Sequence, residues 1–257
     1  MPSWDPDTYA RYKRYRDRPA LDLLLQIPGD LNPHQIWDLG CGPGEHAALL
    51  AARHPQARTH GLDSSPEMLA VARRRVAKVD WILGDIADFA PAIPVDLIFT
   101  NAALQWTANH ETLFAHLARS LSPDGVLACQ MPQSFDQPWH VALRELATEG
   151  PWRDRLQDLR GVRPVAAPEA YFDWLSPLCD EVDIWSTTYL HSLEGDDPVV
   201  DWMRGTGLRP YLDALPDPNE RDAFLEAYRA RLAAILPARA DGLTLFPFPR
   251  LFIVARR

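Results

Sequence analysis

Between Gln35 and Met131 short apolar runs alternate with segments whose apolar positions recur every three to four residues. Gln35-Ile36-Trp37-Asp38-Leu39 reads as a strand that runs into glycines, and the Ala/Leu-rich stretch Glu45 to Arg53 reads as a helix. Thr59-His60-Gly61-Leu62 predicts a second strand. Ser65-Pro66-Glu67 then predicts a helix start, a capping residue followed by proline in the first turn. Met68, Leu69, Ala72 and Val76 give that helix one apolar face. Asp80 to Leu83 and Val95 to Phe99 predict two more strands. His110 to Leu121 predicts a helix on Leu113, Leu117 and Leu121, and Ser122-Pro123-Asp124-Gly125 turns the chain into a strand over Val126 to Met131. Strands that alternate with helices of this length predict a parallel sheet covered on both faces.

The pattern weakens from Pro132 to Pro168, with helices expected at Trp139–Ala147 and Pro168–Leu178. Glu181 to His191 is rich in Val, Ile, Trp, Thr and Tyr and predicts a strand. Asp196 to Leu236 is helical and punctuated by proline; Phe224, Leu225, Tyr228, Leu232 and Ile235 mark its apolar face. Leu251 to Ala255 predicts the last strand. The expectation is one domain over 1–257, with a helical cap at about 192–242 inserted before that strand. Insertions of this kind often cover a site.

At 257 residues the chain has room for one large domain or two small ones, and no apolar run approaches the ~18 residues of a membrane span. Met1 to Pro6 has neither a basic region nor an apolar one, so export is not expected. Cys41, Cys129 and Cys179, an odd number at scattered spacings, imply no disulfide framework and no zinc site. A cytoplasmic location follows as the expectation. The formal net charge is −9, against a polyanion partner. Only Arg11, Lys13, Arg14, Arg16 and Arg18, interleaved with Tyr9, Tyr12 and Tyr15, could argue otherwise. Of the 26 cationic residues 24 are Arg, the side chain that grips carboxylates with two parallel hydrogen bonds.

Asp38-Leu39-Gly40-Cys41-Gly42-Pro43-Gly44 follows a predicted strand and opens a helix, the place where open α/β sheets bind ligands. The dinucleotide fingerprint G-x-G-x-x-G needs a third glycine at position 45, and the residue there is Glu45. A carboxylate at Asp38 and another at Glu45 oppose a pyrophosphate. Both suit a ligand with an ammonium group and a sulfonium, as in S-adenosylmethionine (SAM). Asp63, 23 residues after Gly40 and at the end of the second strand, could accept from ribose hydroxyls. Asp85, after the third strand, could accept from an adenine amino group.

These segments resemble the class I SAM-dependent methyltransferases. Trp4-Asp5-Pro6 with Tyr9, Arg16 to Ala20, Asn101-Ala102-Ala103-Leu104-Gln105-Trp106, Asp183-Ile184-Trp185, Thr206 to Pro210 and Phe248 to Phe252 are similar to the trans-aconitate 2-methyltransferase family in particular. The glycine loop is shared across the superfamily. The tryptophan-bearing motif, Thr-Gly-Leu-Arg-Pro and the last strand are specific to the small family. Residues 133–165 match least. The resemblance implies an α/β, Rossmann-like, seven-stranded sheet whose last strand is antiparallel. It implies SAM held by Asp38, Gly40, Gly42, Gly44, Asp63, Ser64, Met68, Asp85, Ile86 and Asn101. It implies a small tricarboxylate acceptor, methylated on a carboxylate to a monomethyl ester.

A carboxylate acceptor is ionised at pH 7 and needs orientation rather than a base. No Ser-His-Asp set and no H-E-x-x-H cluster occurs in the sequence, so neither a catalytic base nor a metal is expected. Arg209, Arg250 and Arg16 are the expected carboxylate partners, with Arg18 a further candidate. Tyr9, Gln105 and Trp106 join them, the last two beside the methyl path. His110 and His191 are the histidines nearest the expected site, and Trp202 and Tyr211 belong to the cap as lining or as core. Neither a nucleic acid nor a membrane is an expected partner, and the assembly expected is a monomer or weak dimer. Another small acid or a metabolite hydroxyl is the nearest alternative acceptor. A nicotinamide oxidoreductase and a non-catalytic SAM-fold subunit fit the motifs less well.

Overall fold

The computed structural model describes residues 13–76, 78–156, 159 and 165–257. Seven strands form one sheet in the order β3-β2-β1-β4-β5-β7-β6. They are β1 (Gln35–Leu39), β2 (Arg58–Asp63), β3 (Val79–Leu83), β4 (Val95–Asn101), β5 (Leu121–Pro132), β6 (Glu181–Leu193) and β7 (Thr244–Arg256). The pairs β1–β2, β1–β4, β2–β3 and β4–β5 are parallel, and β7 runs antiparallel to β5. The expected parallel sheet with an antiparallel last strand is therefore present.

Helix α1 (Lys13–Gln26) precedes the sheet; α2 (Glu45–Arg53) follows β1, α3 (Pro66–Arg75) follows β2 and α4 (His110–Ser120) follows β4. Ser65 caps α3 as its sequence suggests: its Oγ accepts from the Met68 N–H at 3.2 Å. Arg16 and Arg18 are helical residues. They lie inside α1, which continues through Pro19 although an interior proline costs one helical hydrogen bond. Ser122 to Gly125 is not a connecting turn. The chain already pairs at Leu121↔Val95 and resumes at Val126↔Leu97, so these residues bulge out within β5.

The chain forms two compact units. One comprises 18–132, 165–187 and 250–257 and contains most of the sheet. Its core on one face joins Leu39, Ile98, Leu127, Cys129 and Ile253 to Leu113, Phe114 and Leu117 of α4 and to Tyr171 and Leu175 of α7 (Pro168–Leu175). The other comprises the described residues of 1–17, 133–164 and 188–249. It is built from α5 (Pro138–Ala147), α6 (Arg153–Leu156), α8 (Pro198–Arg204), α9 (Arg209–Asp213) and α10 (Pro218–Ile235). Trp139, Leu143, Trp202, Tyr211, Phe224, Tyr228 and Phe246 fill its core. Trp202 and Tyr211 are thus core residues of this unit.

Candidate active site

The carboxyl ends of β1, β2 and β4 converge on the glycine loop. Gly40, Gly42 and Gly44 all have positive φ, 72°, 54° and 81°. Two of the three are also required by packing. A Cβ at Gly40 would lie 2.3 Å from the Ala103 Cβ, and one at Gly44 2.4 Å from the Trp81 ring. At Gly42 a Cβ would meet nothing within 4 Å, so this backbone faces open space. The Gly40 and Cys41 N–H groups donate to the Leu62 carbonyl at 2.8 and 3.0 Å, which ties the loop to β2.

Asp63 completes that tie. One carboxylate oxygen accepts from the Gly42 N–H and the other from the Ser65 N–H, each at 2.8 Å. A carboxylate has about four lone-pair sites, so two acceptor positions stay available for hydroxyls. Ser64 is exposed and Met68 half-buried at the start of α3. Asp85 caps the turn Ile86–Asp88 by accepting from the Ala87 N–H at 2.8 Å, and its carboxylate is exposed. Ile86 reaches toward the glycine loop, 3.5 Å from the Cβ position of Gly40.

Asp38 is buried. The Ala47 N–H bonds its carboxylate, while Oδ2 has no hydrogen-bond partner among the described residues. Burial, reinforced by the negative charge of Asp63, pushes its pKa up to about 8. A buried carboxyl with one oxygen unmatched suits a cationic ligand. Glu45 does not share this role: its carboxylate pairs with Arg75 at 2.6 Å across α2 and α3. Burial drives the Cys41 thiol well above its ordinary range, which leaves it unreactive.

The loop after β4 is held under strain. Ala102 has φ 54°, unusual for a residue with a side chain. Its N–H donates to the Gln130 carbonyl at 2.9 Å, and its carbonyl accepts from the Gln105 Nε2 at 2.7 Å. Asn101 Oδ1 and Gln105 Oε1 are buried without a partner among the described residues. Trp106 is 54% exposed, so it is not a core residue. His110 is engaged at both ring nitrogens, with the Tyr171 hydroxyl at 2.7 Å and the Leu104 carbonyl at 2.9 Å. Burial lowers its pKa, so the ring is neutral at pH 7.

Arg250 is buried at the point where β7 pairs with Pro132 of β5. In the helical unit, Arg209 opens α9 and lies 3.8 Å from Asp213. Arg16 lies over the Trp202 ring at 5.4 Å, and His191 stacks on the same tryptophan. Arg18 is solvent-facing beside Asp22. Tyr9 lies outside the described residues.

A methyltransferase domain family model matches residues 36–125. The chain is 48% identical over 257 residues to the trans-aconitate 2-methyltransferase of Azoarcus sp. (strain BH72), covering 100% of both chains. It is 46% identical to that of Rhodopseudomonas palustris (strain BisB18), covering 99% of both. The chain belongs to the trans-aconitate 2-methyltransferase family. Its fold is shared more widely. The YcgJ protein of Bacillus subtilis aligns with a TM-score of 0.62 at 17% identity, over 93% of this chain and 98% of that one. Phosphoethanolamine N-methyltransferase 2 of Haemonchus contortus, solved with S-adenosylhomocysteine, aligns at 0.56 over 93% of this chain and 52% of that one. The fold is that of the class I methyltransferases.

The strand ends of this family member fit SAM on structural grounds. The open side of Gly42, the unmatched oxygen of Asp38 and the remaining acceptor positions of Asp63 are what a cationic, ribose-bearing ligand requires. Asp38, Gly40, Gly42, Gly44, Asp63, Ser64, Met68, Asp85, Ile86 and Asn101 lie at or beside these strand ends and are the candidates to hold it. Among the described residues no helix is long and apolar enough to cross a membrane.

Proposed function

We propose that the protein is a cytoplasmic SAM-dependent carboxyl O-methyltransferase that converts trans-aconitate to its monomethyl ester. The observation that carries the acceptor is identity of 46–48% over the full length with relatives named for it. When bound, SAM supplies a sulfonium methyl that a carboxylate oxygen takes, the bonding pair of the broken S–C bond staying on sulfur. No proton changes hands, because the acceptor is already ionised at pH 7. The chain's task is therefore orientation and exclusion of water, which can supply ~7–11 kcal/mol of a barrier. Two features support a reaction without a base. His110 has both nitrogens engaged, and the strained loop at Ala102 fixes Asn101 and Gln105 where the sheet ends.

Arg250, Gln105, Trp106, Arg209, Arg16 and Tyr9 are the acceptor-binding residues of this reading. Each arginine removed should weaken the acceptor by ~1.5–3 kcal/mol, as charge-assisted pairs do. Transfer of labelled methyl from SAM to a panel of tricarboxylates, phenols and amines tests the reading, with extractable, base-labile counts as readout. Base-labile product from trans-aconitate is expected. Transfer only to a phenol or amine overturns the acceptor, and Arg209→Ala should raise acceptor KM with SAM affinity unchanged.

A further inference from the structure

Gln130 lies among the apolar residues near the carboxyl end of β5 and is fully buried. Neither its Nε2 nor its Oε1 has a hydrogen-bond partner among the described residues. Folded proteins rarely leave both ends of a buried amide unmatched. Its position explains the exception. Gln130 is in register with Asn101 of β4 on one side and with Phe252 of β7 on the other. Residues in register share a sheet face, and so do residues two apart on a strand. Asn101 is two positions beyond Phe99, which is in register with Asp38. Arg250 is two positions from Phe252. Asp38, Asn101, Gln130 and Arg250 therefore share one face of four neighbouring strands, at the carboxyl ends of β1, β4 and β5 and in the amino half of the antiparallel β7. Gln130 stands between the residue assigned to the cofactor and the arginine assigned to the acceptor.

We infer that Gln130 is an acceptor-binding residue whose amide N–H holds the reacting carboxylate of a small polycarboxylic acid. This rests on the carboxyl methyltransferase reading above. The chemistry favours a neutral donor at this position. Methylation turns an anionic oxygen into a neutral ester, so a guanidinium on the reacting group would stabilise the starting anion more than the transition state. One amide N–H orients a single oxygen and leaves its other lone pairs to attack, while Arg250 serves a carboxylate that keeps its charge. The Gln130 main chain reinforces the placement, because its carbonyl anchors the strained Ala102 beside it.

The test compares Gln130→Met, which keeps the volume and removes both polar atoms, with Gln130→Glu, which adds a like charge. Steady-state methyl transfer to trans-aconitate, SAM affinity by calorimetry and thermal midpoints are measured for both and for the unaltered protein. For Gln130→Met we expect acceptor KM to rise at least tenfold, SAM affinity to stay within twofold and the midpoint to hold or rise. Gln130→Glu should raise KM further. Acceptor KM within twofold of the unaltered protein in both variants overturns the assignment while leaving the proposed activity intact. A fall in SAM affinity that accounts for the whole loss also overturns it. Absence of transfer by the unaltered protein overturns the activity and this inference together.

Discussion

Asp38 sets the pH behaviour of the site. Its folded pKa of about 8 lies above the ordinary value of 3.8, so the folded chain holds a proton that the unfolded chain has released between those two values. Stability from this group is complete below about pH 4 and is lost as pH rises toward 8, at up to ~1.4 kcal/mol per pH unit. Asp38→Asn keeps an acceptor for the Ala47 N–H and removes the charge. Denaturant unfolding should show the variant gaining on the parent from pH 5 to about pH 8 and levelling off above it, while its SAM affinity falls at least tenfold. A gap that does not widen with pH would mean that Asp38 is ionised throughout. The glycines divide in a similar way. Gly42→Ala pays only for left-handed backbone, ~1–2 kcal/mol, but places a methyl on the open side of the loop. Gly40→Ala adds a 2.3 Å collision with Ala103. Calorimetry and unfolding should therefore find Gly42→Ala stable and poor at binding SAM, and Gly40→Ala unstable first.

Between elements, the Tyr171 hydroxyl joins α7 to α4. It meets His110 Nδ1 at 2.7 Å and accepts from the Ala166 N–H at 3.1 Å. Tyr171→Phe leaves those groups unmatched and should cost ~1–3 kcal/mol of stability. The kcat pH profile should not move, because no step needs His110 as a base; a shifted acid limb would show that it does. This pair also shows what the sequence leaves unread. Helix α2 and strand β1 match their predicted bounds because periodicity, Gly44 and the apolar run are all local signals. The places of Asp63 at the end of β2 and of Gly42 in the loop after β1 were legible for the same reason. Glu45 was misjudged because its partner, Arg75, lies on another helix. Strand β7 starts earlier than its predicted Leu251 because Pro247 and Pro249 interrupt Thr244 to Arg250. Gln130 carries only a weak local signal, a lone amide in an apolar strand, and the register with Asn101 and Phe252 gives it meaning.

For the whole molecule the dominant quantity is charge. A formal −9 faces an acceptor that is a trianion at pH 7. At 0.01 M salt the Debye length is ~30 Å, so the acceptor feels most of the protein; at 0.15 M it is ~8 Å, and only adjacent groups count. Buried Arg250 is screened least, since little electrolyte can reach it. Long-range repulsion should therefore fade with added salt while the close guanidinium contact persists. Acceptor KM should fall as salt is raised from 0.01 to 0.15 M and level off beyond it, with a monocarboxylate acceptor much less affected. Arg250→Met should raise KM at every salt concentration without changing that slope, because the slope belongs to the distant charges. If KM instead rises from the lowest salt upward, attraction by the arginines already outweighs the net charge at long range, and the acidic surface places no barrier before the acceptor.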